Sequence, residues 1–168
     1  MKKPADAIEI FLHPGEFYFG DRHTRIRTLL GSCVSIILWH PRLLIGGMSH
    51  FMLPARGARS KDSGGLDGRY AEEAMQLFLR ELRAGKTRPS EYQVKLFGGG
   101  SMFPDANKNT GASDISGENI EIGRALVKRH GFRIAVEDLG GTGHRQVIFD
   151  LWSGNVWVRQ HKEVLSRR

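Results

Sequence analysis

The run Arg25-Ile26-Arg27-Thr28-Leu29-Leu30-Gly31-Ser32-Cys33-Val34-Ser35-Ile36-Ile37-Leu38-Trp39 decides how the chain is read. It is rich in Leu, Ile and Val, which suit a pleated and half-buried surface, and it predicts one long strand. A second apolar run, Leu43 to Leu53, predicts its partner. His40-Pro41-Arg42 lies between them, with Pro41 suited to the first central position of a turn. A two-residue loop at Pro41-Arg42 pairs His40 with Leu43; a four-residue loop over 40–43 pairs Trp39 with Leu44. Either loop gives the same register, in which paired numbers sum to 83 and Cys33 stands opposite His50. Directly opposed residues on one face have Cβ atoms roughly 4.5–5.5 Å apart, so a thiol and an imidazole can meet there. A three-residue loop, or a bulge near Gly31 or Gly46-Gly47, would shift the pairing by one.

Outward from this hairpin the chain alternates patterned and polar segments. Ala55 to Arg69 is polar and carries Ser63-Gly64-Gly65, which reads as a surface loop. Tyr70 to Leu82 has apolar residues at 70, 74, 75, 77, 78 and 82, a helical stripe that Gly85 is placed to end. Gln93 to Phe97 predicts a buried strand leading into Gly98-Gly99-Gly100, a tight bend or close packing point. Pro104 to Ser116 is a second polar loop; Glu118 to His130 is a second helix with Ile122, Ala125 and Leu126 inward and Gly131 as its cap. Arg133 to Leu139, Gln146 to Leu151 and Val156 to Arg159 predict strands, the last two joined through Ser153-Gly154-Asn155. The order implies an α+β fold: one layered α/β sandwich with a mixed, largely antiparallel sheet and two main helices. With no repeat and no linker, residues 1–168 read as a single domain.

Composition narrows the function. With 40% hydrophobic and 26% charged residues, the chain has the profile of a soluble globular protein. No apolar run approaches the roughly 18 residues needed to span a membrane. Met1-Lys2-Lys3-Pro4-Ala5-Asp6 leads into nothing resembling a secretory signal. The single cysteine cannot form an internal disulfide and suits a reducing compartment, so a cytoplasmic location is expected. The net charge of +7 favours acidic partners. Lys and Arg are scattered rather than blocked, and no base-stacking aromatic motif accompanies them, which argues against nucleic acid. Seven dispersed histidines with no HExxH and no cysteine cluster predict no metal, and the triple glycine lacks the Gly-Lys-Ser/Thr of a phosphate loop. No cofactor is expected.

A lone cysteine in an apolar strand is ordinarily a core residue, and a lone histidine a structural one. Their pairing changes the reading. A free thiol is mostly protonated at neutral pH, and a neighbouring imidazole can take its proton and generate the nucleophile. Gly31, just before Ser32-Cys33, leaves room for another backbone to approach.

Leu30-Gly31-Ser32-Cys33-Val34 followed by Gly47-Met48-Ser49-His50-Phe51-Met52-Leu53-Pro54 resembles the chemoreceptor glutamine deamidases called CheD. Arg69-Tyr70, Ala74-Met75, Lys95-Leu96-Phe97-Gly98-Gly99, Met102-Phe103, Asn119, Asp138 with Gly140-Gly141, and Arg145 with Val147 extend the match across roughly residues 15 to 160. The resemblance implies hydrolysis of glutamine side-chain amides on the cytoplasmic helices of chemotaxis receptors, giving glutamate and ammonia. It also implies an α/β sandwich fold. The family's nucleophilic cysteine falls on Cys33 and its histidine on His50. Its third catalytic residue is a threonine near the start of the same strand. Six residues before the cysteine stands Arg27, whereas Thr28 is five before, so the third position rests between them. In a regular strand Arg27 shares a face with Cys33 and Thr28 does not. Because a threonine hydroxyl can accept the histidine N–H and an arginine cannot, a bulge or twist near Leu30-Gly31 is expected to bring Thr28 to His50 and leave Arg27 pointing outward, so Thr28 is taken as the third site residue. The oxyanion donors expected are the Cys33 N–H or an N–H near Gly98-Gly99. CheD-like proteins also bind a CheC-type chemotaxis phosphatase, so a regulatory partner role stands as the alternative. A thiol amidase for small amides is a third reading, without any small-ligand fingerprint.

Overall fold

The computed structural model describes residues 1–57, 64–103 and 114–161. The polar loops expected at 55–69 and 104–116 therefore lie partly outside the described residues. The strands are β1 (Ile8–Leu12), β2 (Phe17–Gly20), β3 (Thr24–Leu30), β4 (Val34–His40), β5 (Ile45–Ser49), β6 (Gln93–Gly98), β7 (Arg133–Leu139), β8 (His144–Asp150) and β9 (Val156–His161). Among the described residues the helices are α1 (Ala71–Ala84) and α2 (Ile115–Arg129), with a short 3-10 turn at Pro89–Glu91.

These elements form three layers: the helices, a five-stranded sheet in the order β2-β5-β4-β6-β7, and a four-stranded sheet in the order β1-β3-β8-β9. Among the described residues only β1 with β3 and β6 with β7 pair in parallel, so the mixed, largely antiparallel α+β expectation holds. What differs is that the strands divide between two sheets. The expected long strand from Arg25 to Trp39 is two strands, β3 in one sheet and β4 in the other. Gly31-Ser32-Cys33 carries the chain across between them.

Alternation along β4 gives each of its faces a separate core. Val34, Ile36 and Leu38 pack with Phe51 against Ala74, Met75 and Phe78 of α1 and Leu126 and Val127 of α2. Ile37 faces the other way, with Met48 and Phe97, onto Ile26, Leu30, Val147 and Phe149 of the four-stranded sheet. A strand buried on both faces reads as a continuous apolar run, which is why β4 shows no alternation in sequence. The crossover is seated by close backbone approach: a Cβ on Gly98, which sits at φ 110, would lie 2.3 Å from the Cys33 carbonyl oxygen. Arg145, 2% exposed, locks the same corner by donating from Nη1 to Gly98 O at 3.0 Å and from Nε to Asp138 Oδ1 at 3.3 Å.

The hairpin exists, but its register differs from the one expected. Its loop is Pro41–Leu44, so His40 pairs with Ile45 and paired numbers sum to 85. Leu44 takes φ 54, and its N–H reaches His40 O at 2.8 Å to close the turn. The isolated Val34–Phe51 bridge keeps that register, which sets Cys33 opposite Met52 and His50 opposite Ser35. A shift of two residues leaves every side chain on its original face. Cys33 and His50 thus share a face as diagonal neighbours, a relation that separates Cα atoms by roughly 7–8 Å and Cβ atoms by less.

The second helix starts three residues earlier than expected, at Ile115, whereas α1 starts one residue later, at Ala71. The Asp114 side chain accepts the Gly117 N–H at 3.1 Å and caps α2. Gly131 follows α2 at φ 83, as expected of a helix-terminating glycine.

Candidate active site

Thr28 of β3 meets His50, just past the end of β5, between the two sheets, and the strand register places Cys33, just before β4, on the same face as His50. His50 follows β5 directly and is 1% exposed. Its backbone continues the ladder toward the turn before β2: Gly15 N–H donates to His50 O at 2.8 Å, and His50 N–H to Glu16 O at 3.2 Å. On the β4 side the ladder opens, and the Ser49 hydroxyl substitutes for a backbone acceptor by taking the Ile36 N–H at 3.1 Å.

Thr28, 1% exposed in β3, faces the five-stranded sheet together with Ile26 and Leu30. Its Oγ1 lies 2.7 Å from His50 Nδ1 and 2.8 Å from Leu12 O. A hydroxyl has one proton to give, and a carbonyl oxygen can only accept. The Thr28 proton therefore goes to Leu12 O, and Oγ1 accepts from Nδ1–H. The consequence is a fixed tautomer: His50 carries its proton on Nδ1 and presents an unprotonated Nε2.

Arg27 points to the other side of β3, with Nη1 3.8 Å from Glu9 Oε1 on the outer face of the sheet. The choice between Arg27 and Thr28 as the partner of His50 is thereby made by geometry. A regular strand running through Cys33 would have placed Thr28 on the opposite face. Once β3 and β4 belong to different sheets, alternation cannot be carried across Gly31.

Cys33 is half-buried at the entrance of β4 and packs on the apolar cluster between the sheets. Burial pushes its thiol up, and its own backbone N–H acts in the opposite direction. Burial also pushes His50 down to about 4 from an ordinary 6.5, with the Glu16 carboxylate countering this and His13 adding to it. Near neutral pH the resting pair is thus thiol and neutral imidazole rather than an ion pair. A thiol on the same face as an imidazole whose free nitrogen is set by a third group is an arrangement that can support nucleophilic chemistry. Of the expected oxyanion donors, the Gly99 N–H is committed to Cys33 O at 2.9 Å and the Gly100 N–H to Gly31 O at 2.8 Å. No other described residue accepts the Cys33 N–H. Those residues also contain no group of three or more His, Cys, Asp or Glu side chains that could hold a metal ion. No described helix is long and apolar enough to cross a membrane.

Fold and site together define a three-layer α+β protein with a thiol, an imidazole and a hydroxyl between its two sheets. The family model for CheD, described as chemotactic sensory transduction, matches residues 52–160, a span that begins past Cys33 and His50. A protein of Pseudomonas fluorescens named probable chemoreceptor glutamine deamidase CheD is 51% identical over 159 residues, covering 95% of this chain and 88% of that one. A Dechloromonas aromatica protein, probable chemoreceptor glutamine deamidase CheD 3, is 50% identical over 156 residues, covering 92% and 89%. A Leptospira interrogans protein, probable chemoreceptor glutamine deamidase CheD 1, is 44% identical over 162 residues, covering 94% and 96%. Among solved structures, the Bacillus licheniformis hypothetical protein YfiH aligns at TM-score 0.45 and 13% identity, covering 72% of this chain and 49% of that one. The chain belongs to the CheD family.

Proposed function

We propose that this protein is a protein-glutamine deamidase that converts glutamine side chains of chemoreceptors to glutamate, with Cys33 as nucleophile and His50 as base. The observation that carries the reading is the bond between Thr28 and His50 Nδ1, which leaves Nε2 free to take a proton. Relatives named as chemoreceptor glutamine deamidases supply the substrate class. The net charge of +7 suits an acidic helical surface.

In the first half-reaction His50 Nε2 takes the Cys33 thiol proton as Sγ adds to the amide carbon. The resting pKa order means this transfer accompanies attack rather than preceding it. The tetrahedral oxyanion collapses, the C–N bond breaks, and the imidazolium returns its proton to the departing ammonia. The resulting thioester is hydrolysed by a water that gives its proton to Nε2, and Cys33 leaves as the thiol. One amide and one water become one carboxylic acid and one ammonia. Throughout, Thr28 holds the Nδ1–H, so the ring charges and discharges without turning.

The test is mass spectrometry of a receptor cytoplasmic fragment incubated with the protein. Specific glutamines should become glutamate with stoichiometric ammonia release, and Cys33→Ala should abolish both while leaving the circular dichroism spectrum unchanged. Full conversion by Cys33→Ala would end the cysteine mechanism.

A further inference from the structure

Three successive carbonyl groups of the crossover are held from three places. Gly31 O and Cys33 O are taken by Gly100 and Gly99. The middle one, Ser32 O, accepts from a side chain of the helix layer, Asn119 Nδ2 of α2, at 3.2 Å. The same nitrogen donates to Met52 O at 2.8 Å. Met52 is the residue opposite Cys33 in the register of the Val34–Phe51 bridge, so a single amide clamps both sides of the strand pair at the level of the thiol. Asn119 is 0% exposed.

The amide orientation is forced, because its oxygen could not replace its nitrogen between two carbonyl oxygens. That leaves Oδ1 buried with no hydrogen-bond partner. A bare buried acceptor carries a desolvation cost that a leucine of similar shape would avoid. Asn119 is therefore poorly explained as filling.

Its effect on Cys33 follows from peptide geometry. The described chain has no cis peptide bond, so the Ser32 C=O and Cys33 N–H of one planar unit point in opposite directions. With Ser32 O drawn to Asn119, the Cys33 N–H is turned away from α2, and no other described residue accepts it. Donation to the carbonyl also polarises the peptide and strengthens its N–H as a donor.

We propose that Asn119 is a positioning residue for deamidation: by holding Ser32 O it aims the Cys33 N–H at the oxyanion formed when the thiol adds to the glutamine amide. This rests on the deamidase reading above. The sequence carries Asn119 in the family pattern, but only the fold brings it to the crossover.

Two variants of the full chain test the assignment, Asn119→Leu, which keeps the volume, and Asn119→Ala, which opens the carbonyls to water. Each is assayed for ammonia release from the receptor fragment and for the rate of Cys33 alkylation by iodoacetamide. Alkylation is displacement at a saturated carbon and builds no oxyanion, so it reports the thiol and its base alone. For both variants kcat should fall about 10- to 100-fold with KM little changed, as expected when a donor used only in the transition state is misaimed. Alkylation should stay near the wild-type rate. Wild-type kcat in either variant would overturn the assignment. So would parallel loss of turnover and alkylation, or failure of both variants to fold, each of which would make Asn119 scaffold only. A wild-type protein that alkylates normally but releases no ammonia would instead overturn the deamidase reading beneath it.

Discussion

Two buried histidines stand at opposite ends of one hairpin, and they are held in opposite tautomers. His40, 4% exposed at the end of β4, uses Nδ1 as an acceptor for the Leu43 N–H at 3.1 Å and the Arg42 N–H at 3.3 Å. Its proton is therefore on Nε2, which is buried without a hydrogen-bond partner, 3.7 Å from Glu91 Oε1. The ring also packs edge-on against Tyr92, with centroids 5.2 Å apart. His40 thus closes a turn. His50 uses Nδ1 as a donor to a hydroxyl, and its Nε2 lone pair is left for chemistry. Burial alone does not distinguish the two, nor does residue type. What separates a structural imidazole from a basic one here is the identity of the group facing Nδ1, two backbone N–H donors in one case and a hydroxyl whose proton is already spent in the other.

The largest effect that could break this contrast is on turnover. His50→Ala should lower deamidation by about 10²–10⁴-fold, the range for a lost general base. His40→Ala should leave turnover within about twofold while lowering stability by about 1–3 kcal/mol in urea unfolding, since two turn N–H groups lose their acceptor. Equal losses of activity in the two variants would erase the distinction.

The next effect sharpens the role of the hydroxyl. Thr28→Val should reduce turnover by about one to three orders of magnitude, because Nδ1–H and Leu12 O both lose their partner and the tautomer is released. Arg27→Ala, one residue away but on the outer face, should change turnover little. Steady-state assays of the pair decide, and the reverse ranking would remove Thr28 from the site.

A smaller effect appears in stability against pH. Unfolded His50 takes a proton as pH falls below its ordinary 6.5, whereas the folded residue resists protonation until about 4. Within that window the unfolded chain binds more protons, so stability rises with pH and is lost on acidification. The loss attributable to His50 between neutral pH and pH 4 is on the order of 3 kcal/mol. Urea unfolding across that range should show His50→Asn less acid-sensitive than wild type by about this amount, and indistinguishable slopes would mean the imidazole is not held neutral.

How much of this was legible in the sequence varies by residue. The facing of Cys33 and His50 survives a two-residue error in register because side chains alternate with period two, so the loop could be misplaced without cost to the pairing. Thr28 was named through the family resemblance and the chemistry of its hydroxyl, but the change of sheet that turns it toward His50 was not legible. β3 and β4 have similar apolar composition, and Gly31-Ser32 gives no local sign that the chain leaves one sheet for another; the division depends on β8 and β6, which arrive more than fifty residues later. β1 and β2 were missed for a related reason, since short strands that are largely exposed or half-buried carry little apolar pattern. The place of Asn119 was also hidden, because its amide meets carbonyls 87 and 67 residues away in sequence. The helices, by contrast, were read from their stripes to within a few residues, and only the Asp114 cap moved the start of α2.

The central claim is that Thr28 holds His50 as the Nδ1–H tautomer with a free Nε2. Nitrogen-15 NMR of imidazole-labelled protein at neutral pH, assigned with His50→Asn and His40→Asn, reads that directly. His50 should show a protonated Nδ1 and an unprotonated Nε2, and His40 the opposite pattern. A proton on Nε2 of His50, or a fully protonated ring, would contradict it.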